Sequence, residues 1–171
     1  MTDRKKIDDA LRASEERRKL AQEAGRVGIW DWNAATNQTY WSETMWSIYD
    51  ETPSDLNPDE YYWSSHVHPS DRERVKLNIT QTLESHETRF HDEFRIIKRD
   101  GKVRWLETIA SVTRSEDGKA TRMYGVNLDI TDRKDTEERI KLSENQLRLV
   151  TNAVPALISY VDSNERYRFV N

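Results

Sequence analysis

Two Asp-Gly pairs, Asp100-Gly101 and Asp117-Gly118, constrain this chain more than any other feature. Each lies between runs rich in β-branched and aromatic residues. Glycine accepts the positive φ that a tight turn demands, so these pairs are strong hairpin signals. With Phe90–Arg99 ahead of the first pair, they predict three antiparallel strands in a row, the third over Arg122–Ile130. That strand runs through Asp129-Ile130-Thr131 into a charged helical segment with almost no loop. A sheet that feeds a helix this directly is a mechanical coupling device.

The three-strand block is apolar on both faces: Val103, Trp105 and Ile109 alternate with Leu106, Ala110 and Val112. A sheet with one wet face reads apolar-in and polar-out, so both faces here need cover. Helices supply one cover. The N-terminal helix or a second protomer is the candidate for the other. Residues 2–24 contain no Gly or Pro and many strong helix formers. Ile7, Ala10, Leu11, Ser14, Arg17, Ala21 and Ala24 fall near a heptad seam, which Ser14 and Arg17 weaken. Segment 1–24 reads as a coiled-coil or dimer-contact helix, with a solvated surface helix as the alternative. Gly25 ends it.

Val27–Asn33 reads as a strand, Ala34–Asn37 as its turn and Gln38–Trp41 as its partner. Ser42 is a candidate N-cap for a short helix, Glu43–Tyr49. Asp50–Asp59, with Pro53 and Pro58, breaks into turns. His68-Pro69 opens a longer helix, with proline at a first helical position. Val75, Ile79 and Leu83 give it an apolar stripe, and it frays near Ser85-His86. After Thr131, Asp132–Asn152 is helical, with Asp132 facing the positive end of the macrodipole. Thr136, Ile140, Ser143, Leu147, Val150 and Val154 form a better heptad seam, and Pro155 ends the helix. An offset of 129 residues then lays Leu20 on Leu149, Ala24 on Ala153, Ile29 on Ile158, Asn33 on Asp162 and Tyr40 on Phe169. The chain therefore reads as one domain followed by the first two strands of a second copy, and so as part of a longer tandem protein.

At 171 residues the chain holds one ordinary core plus extensions. A net charge of −4 gives no basic footprint for nucleic acid or anionic lipid. The absence of cysteine removes disulfides, thiolate metal sites and cysteine nucleophiles. No run approaches the roughly 20 apolar residues of a membrane span. Residues 1–10 lack the apolar core of a signal peptide, so the expectation is a cytoplasmic chain without membrane insertion. His66 and His68 flank Val67 without a metal-binding spacing. His68 is read as part of the helix start and His66 as exposed. There is no nucleophile elbow, glycine-rich nucleotide loop or kinase phosphoacceptor box, so no catalytic residue and no metal ligand is assigned.

GIWDWN at 28–33, HPSDRERV at 68–75, FHDEFRIIKRDGKVRWLE at 90–107 and GVNLDITDRK at 125–134 stand in an order that resembles the tryptophan-rich PAS/PAC sensor family. The resemblance covers residues 18–134 closely, and 145–171 resembles the opening of a second PAS domain. It implies an α+β fold: a five-stranded antiparallel sheet in the order 2-1-5-4-3, small helices on one face, and flanking signalling helices. The implied division is an N-terminal helix (1–24), a PAS/PAC domain (25–131), a signalling linker helix (132–154) and a truncated second PAS domain (155–171).

The family also implies a sensory module that dimerises with itself and passes a signal through its flanking helices to a downstream output domain. That output is read as a histidine kinase of a two-component system, or else a diguanylate cyclase or phosphodiesterase. A ligand-free protein-interaction domain is the alternative. The family cavity lies between the inner sheet face and the small helices. Its expected lining is Trp32, Met45, Trp46, Tyr49, Phe94, Ile96, Trp105, Tyr124 and Asn127. The bulk of six tryptophans argues that such rings fill it. Asn127 is either a ligand contact or a strand residue bonded to backbone.

The cofactor is left open between none, haem and flavin; cysteinyl-flavin photochemistry needs a cysteine that is absent. His86, the one histidine late in the long helix, lies beyond the apolar stripe, which argues against haem. Asp129, Ile130 and Thr131 resemble the family's junction motif. Thr131 is expected to cap the outgoing helix, and Asp129 to bond close by.

Overall fold

Both Asp-Gly pairs make their turns, with Gly101 at φ +81° and Gly118 at φ +83°. They sit in a computed structural model that describes residues 3–53, 58–153, 159–161 and 167–170. In chain order the elements are α1 (Asp3–Ala24), β1 (Val27–Asn33), β2 (Gln38–Trp41), α2 (Glu43–Tyr49), α3 (Glu60–His66), α4 (Pro69–Glu84), β3 (Arg89–Ile97), β4 (Val103–Arg114), β5 (Ala120–Asp129), α5 (Thr131–Ala153), β6 (Ser159–Val161) and β7 (Tyr167–Val170). The chain forms two units, Met1–Thr131 and Asp132–Asn171.

The first unit holds a five-stranded antiparallel sheet in the order β2-β1-β5-β4-β3, as the family resemblance implies. Strand ends move by one to two residues. β3 stops at Ile97 because Lys98 already bonds across the turn to Lys102. β5 stops at Asp129 because Thr131 already starts the helix.

Side-chain alternation sorts each strand by face. Phe90, Phe94 and Ile96, then Leu106, Thr108, Ala110 and Val112, then Met123 and Asn127, all point inward and are buried. α2 packs on this face through Met45, Trp46, Ile48 and Tyr49. It lies so close to β1 that a methyl group on Gly28 would sit 2.8 Å from Met45 Sδ. Ser42 caps α2 as expected, its Oγ accepting the Met45 amide at 3.3 Å. Asp59 caps α3, and His68 precedes Pro69 at the start of α4.

The edge strand β3 is stitched to α4. Val67 bridges to Ile96, and the His68 amide donates to Arg95 O. Asp71 accepts the Arg95 amide and both sides of its guanidinium at 2.7–2.9 Å. Arg74 and Asn78 donate to Asp92. These side chains occupy an edge that would otherwise invite another strand.

The outer sheet face stays largely open. Val103, Ile109 and Tyr124 are each about 40–50% exposed. α1 touches β1 and carries an ion pair from Lys19 to Glu43, yet Ile7, Leu11 and Leu20 on it are exposed.

In the second unit α5 is a 23-residue helix whose Ile140, Leu147 and Val150 are exposed. β6 and β7 pair antiparallel, with Ser159 opposite Val170 and Tyr160 opposite Phe169. The same offset of 129 residues carries these pairs back to Trp30–Trp41 and Asp31–Tyr40 of the first hairpin. Residues 54–57, the expected helix stop at Pro155 and the matches at Ile158 and Asp162 lie outside the described residues.

Candidate functional site

Between the inner sheet face and the helices lies a cavity of about 170 Å³. β1 gives it Trp30 and Trp32, β2 Thr39 and Trp41, α2 Met45, α3 Trp63, β3 Phe90 and Phe94, and β5 Met123 and Asn127. β4 adds Thr108, and α4 adds Lys76, Ile79, Thr80 and Leu83; Pro58 and Asp59 complete the wall. The large rings thus border an open space rather than fill it, contrary to the expectation from tryptophan content. They stand edge-on to one another around the core, as Trp41 does to Trp46 at 4.9 Å and Trp63 to Phe94 at 5.9 Å.

The nine expected lining residues divide three ways. Trp32, Met45, Phe94 and Asn127 are on the wall. Trp46, Tyr49 and Ile96 are buried in the adjoining core without reaching it. Trp105 and Tyr124 are on the opposite face of the sheet. Alternation decides this: Leu106 and Met123 point in, so their neighbours Trp105 and Tyr124 point out. There Arg95 stacks over Trp105 at 5.4 Å and Arg122 over Tyr124 at 5.3 Å. The sequence reading missed Trp30, Trp41, Trp63, Phe90, Thr108 and Met123. The same parity rule, counted from Leu106 and Asn127, would have found Thr108 and Met123.

One end of the cavity is polar. Asn127, 1% exposed, accepts the Trp30 indole N–H at 2.9 Å and the Thr108 hydroxyl at 2.7 Å through its Oδ1. Its partners are side chains of β1 and β4, not backbone as one reading had it. Tyr49 is fully buried beside it. The Trp63 indole and Asn127 face the Tyr49 hydroxyl, yet among the described residues no group completes a hydrogen bond to it. Burial holds that phenol protonated far above the ordinary tyrosine range.

No histidine lines the wall. His68 and His86 are where the sequence puts them, at the start and past the end of α4. His66 is not exposed as expected. Its side chain is 12% accessible, packed edge-on against Tyr49, with Glu51 3.5 Å from Nε2. Among the described residues no cluster of His, Cys, Asp and Glu is arranged to hold a metal. The wall does not suit haem or a flavin. It offers no axial histidine, and pockets for drug-sized ligands begin at roughly 300 Å³.

Two residues beyond Asn127, β5 becomes α5. Asp129 Oδ1 accepts the Thr131 amide at 2.9 Å and the Thr131 hydroxyl at 2.5 Å. The Thr131 hydroxyl accepts the Trp105 amide at 3.0 Å, and the Ile130 amide donates to Trp105 O at 2.9 Å. Ile130 and Thr131 are buried. The roles differ from expectation in one respect. Asp129 is the acceptor that caps the first helical amide, while the Thr131 hydroxyl extends the β4–β5 ladder.

A family model described as PAS fold matches residues 38–127. The chain is 30% identical over 156 residues to a probable diguanylate cyclase, DgcE, of Escherichia coli, covering 91% of this chain and 14% of that one. It is 28% identical over 141 residues to the sensor protein FixL of Bradyrhizobium diazoefficiens, covering 81% of this chain and 27% of that one. It thus spans about a quarter or less of either relative. A sensory box histidine kinase/response regulator structure from Burkholderia thailandensis superposes with a TM-score of 0.63 at 31% identity, covering 77% of this chain and 98% of that one.

Proposed function

This chain belongs to the PAS fold family, and we propose that it is a sensory module that turns the state of its cavity into a rearrangement of α5. The observation that carries this reading is the junction. The first residue of α5 hangs on Asp129 and on the backbone of β4, so the helix start follows the twist of the sheet. A change in cavity occupancy alters packing against Thr108 and Asn127, on the same two strands. Packed cores respond to such changes by switching between discrete arrangements rather than by smooth deformation.

In this reading the module is a cytoplasmic homodimer. Exposed apolar residues on α1, on α5 and on the outer sheet face support self-association. Among the described residues no helix is long and apolar enough to cross a membrane. The module performs no chemistry itself and drives a downstream output domain, a histidine kinase first and a diguanylate cyclase second. Relatives named as a probable diguanylate cyclase and as a sensory box histidine kinase/response regulator support an output domain of one of these kinds. Residues 155–171 open a second copy of the domain, a reading supported by the hairpin register repeated 129 residues on.

The test is helix phase. In the full-length protein, insertion of one heptad into α5 keeps the seam in register and is expected to preserve regulation, whereas half a heptad is expected to scramble it. Equal tolerance of both insertions rules out a helical relay.

A further inference from the structure

We infer that the cavity takes a small uncharged molecule built on one planar ring and carrying a single hydrogen-bonding group. This rests on the proposal that the cavity is the sensory site and adds the chemistry of what it holds. Size sets the first limit. A dry apolar cavity of about 150 Å³ accommodates benzene, so about 170 Å³ holds one six-membered ring with a small substituent.

Shape sets the second limit. Trp30, Trp32, Trp63 and Phe94 present ring faces and edges, which pack a flat aromatic guest better than a branched chain. Polarity sets the third. Both acceptor positions of Asn127 Oδ1 are taken by Trp30 and Thr108. What the polar end offers a guest as a donor is therefore the amide N–H of Asn127. Thr108, donating to Asn127, keeps lone pairs to accept with.

Among the described residues no charged side chain stands at that end, so an anion there would be buried without a partner. The charged wall residues, Asp59 and Lys76, lie on the helical side, where Lys76 is exposed. A carbonyl or amide on an aromatic ring fits these limits; a carboxylate does not.

The experiment titrates the full chain with benzamide, benzoate and toluene, reading the Trp30 indole N–H by ¹H–¹⁵N NMR and the melting temperature. Benzamide is expected to shift that signal and raise the melting temperature, with toluene and benzoate at least tenfold weaker. Tightest binding by benzoate overturns the uncharged assignment, and equal binding by toluene overturns the polar one; either result leaves the cavity standing as the sensory site. Absence of binding by all three overturns the ligand class.

Two variants separate fold from function. Thr108→Val keeps shape and is expected to erase the preference for benzamide over toluene. Met123→Trp is expected to fill the cavity and abolish all binding without lowering the melting temperature. Binding that survives Met123→Trp unchanged means the probes lodge elsewhere and overturns the assignment of this ligand class to the cavity.

Discussion

One carboxylate oxygen of Asp129 receives both the amide and the hydroxyl of Thr131, at 2.9 and 2.5 Å. The pair closes a ring at the point where sheet becomes helix. Because the same hydroxyl also accepts the Trp105 amide, the ring is tied to β4 as well as β5. A lone cap would hold only the helix. This arrangement makes the first residue of α5 a member of the sheet ladder too.

Thr131→Val tests that membership, since it keeps the β-branched shape and removes the hydroxyl. The Trp105 amide then loses its acceptor in a part-buried site. The expected loss is about 1–2 kcal/mol of stability, and faster hydrogen exchange at Trp105. Unchanged exchange at that amide would mean that the hydroxyl does not tie helix to strand.

Asp71 sets the acid response. The Arg95 side-chain bonds, ahead of burial, which acts the other way, hold its carboxyl down at about 2. A depressed folded pKa means the stabilisation is complete above the ordinary carboxylate range and fades as pH falls from about 4 to about 2. Asp71→Asn should cost about 1–2 kcal/mol near neutral pH and flatten the stability profile across that acid window. Denaturant melts at several pH values check this. Parallel profiles for both proteins would contradict it.

Gly125 lies opposite Ala110 in the middle of the sheet. A Cβ there would meet Ile109 O at 2.3 Å and Ala110 Cβ at 2.7 Å, both fixed by the strand. Gly125→Ala should therefore reach the upper end of overpacking costs, about 3 kcal/mol. Gly101→Ala meets open space and suffers only from its positive φ, at about 1–2 kcal/mol. Chemical denaturation of the two variants should rank them in that order.

Self-association is tested by sedimentation of the whole chain against one lacking residues 1–24. A dimer is expected for the first and a weaker dimer or a monomer for the second, given the exposure of Ile7, Leu11 and Leu20. Monomers in both cases would contradict dimerisation through the helices.

Local chemistry made much of the fold legible in the sequence. The Asp-Gly pairs, the Ser42 cap and the His68-Pro69 helix start are each written within a few residues, and each stands where expected. The sites were less legible because they depend on distant partners. Asn127 meets Trp30 across 97 positions, and Arg95 meets Asp71 across 24. The family resemblance puts Trp105 and Tyr124 in the cavity lining, whereas strand parity turns them outward. Tryptophan content suggested a filled core, but free volume depends on how far the curved sheet stands from α4, which no short segment encodes. At the junction the right residues were visible, yet which of them caps the helix depends on the position of Trp105.

The most direct measurement pairs two readouts on Asp129→Ala in the full-length protein: the melting temperature and the regulated output activity. A relay through the junction requires output control to fall well beyond any loss of folding. Proportional loss of both would reduce Asp129 to an ordinary helix cap and leave the sheet without a route to the helix.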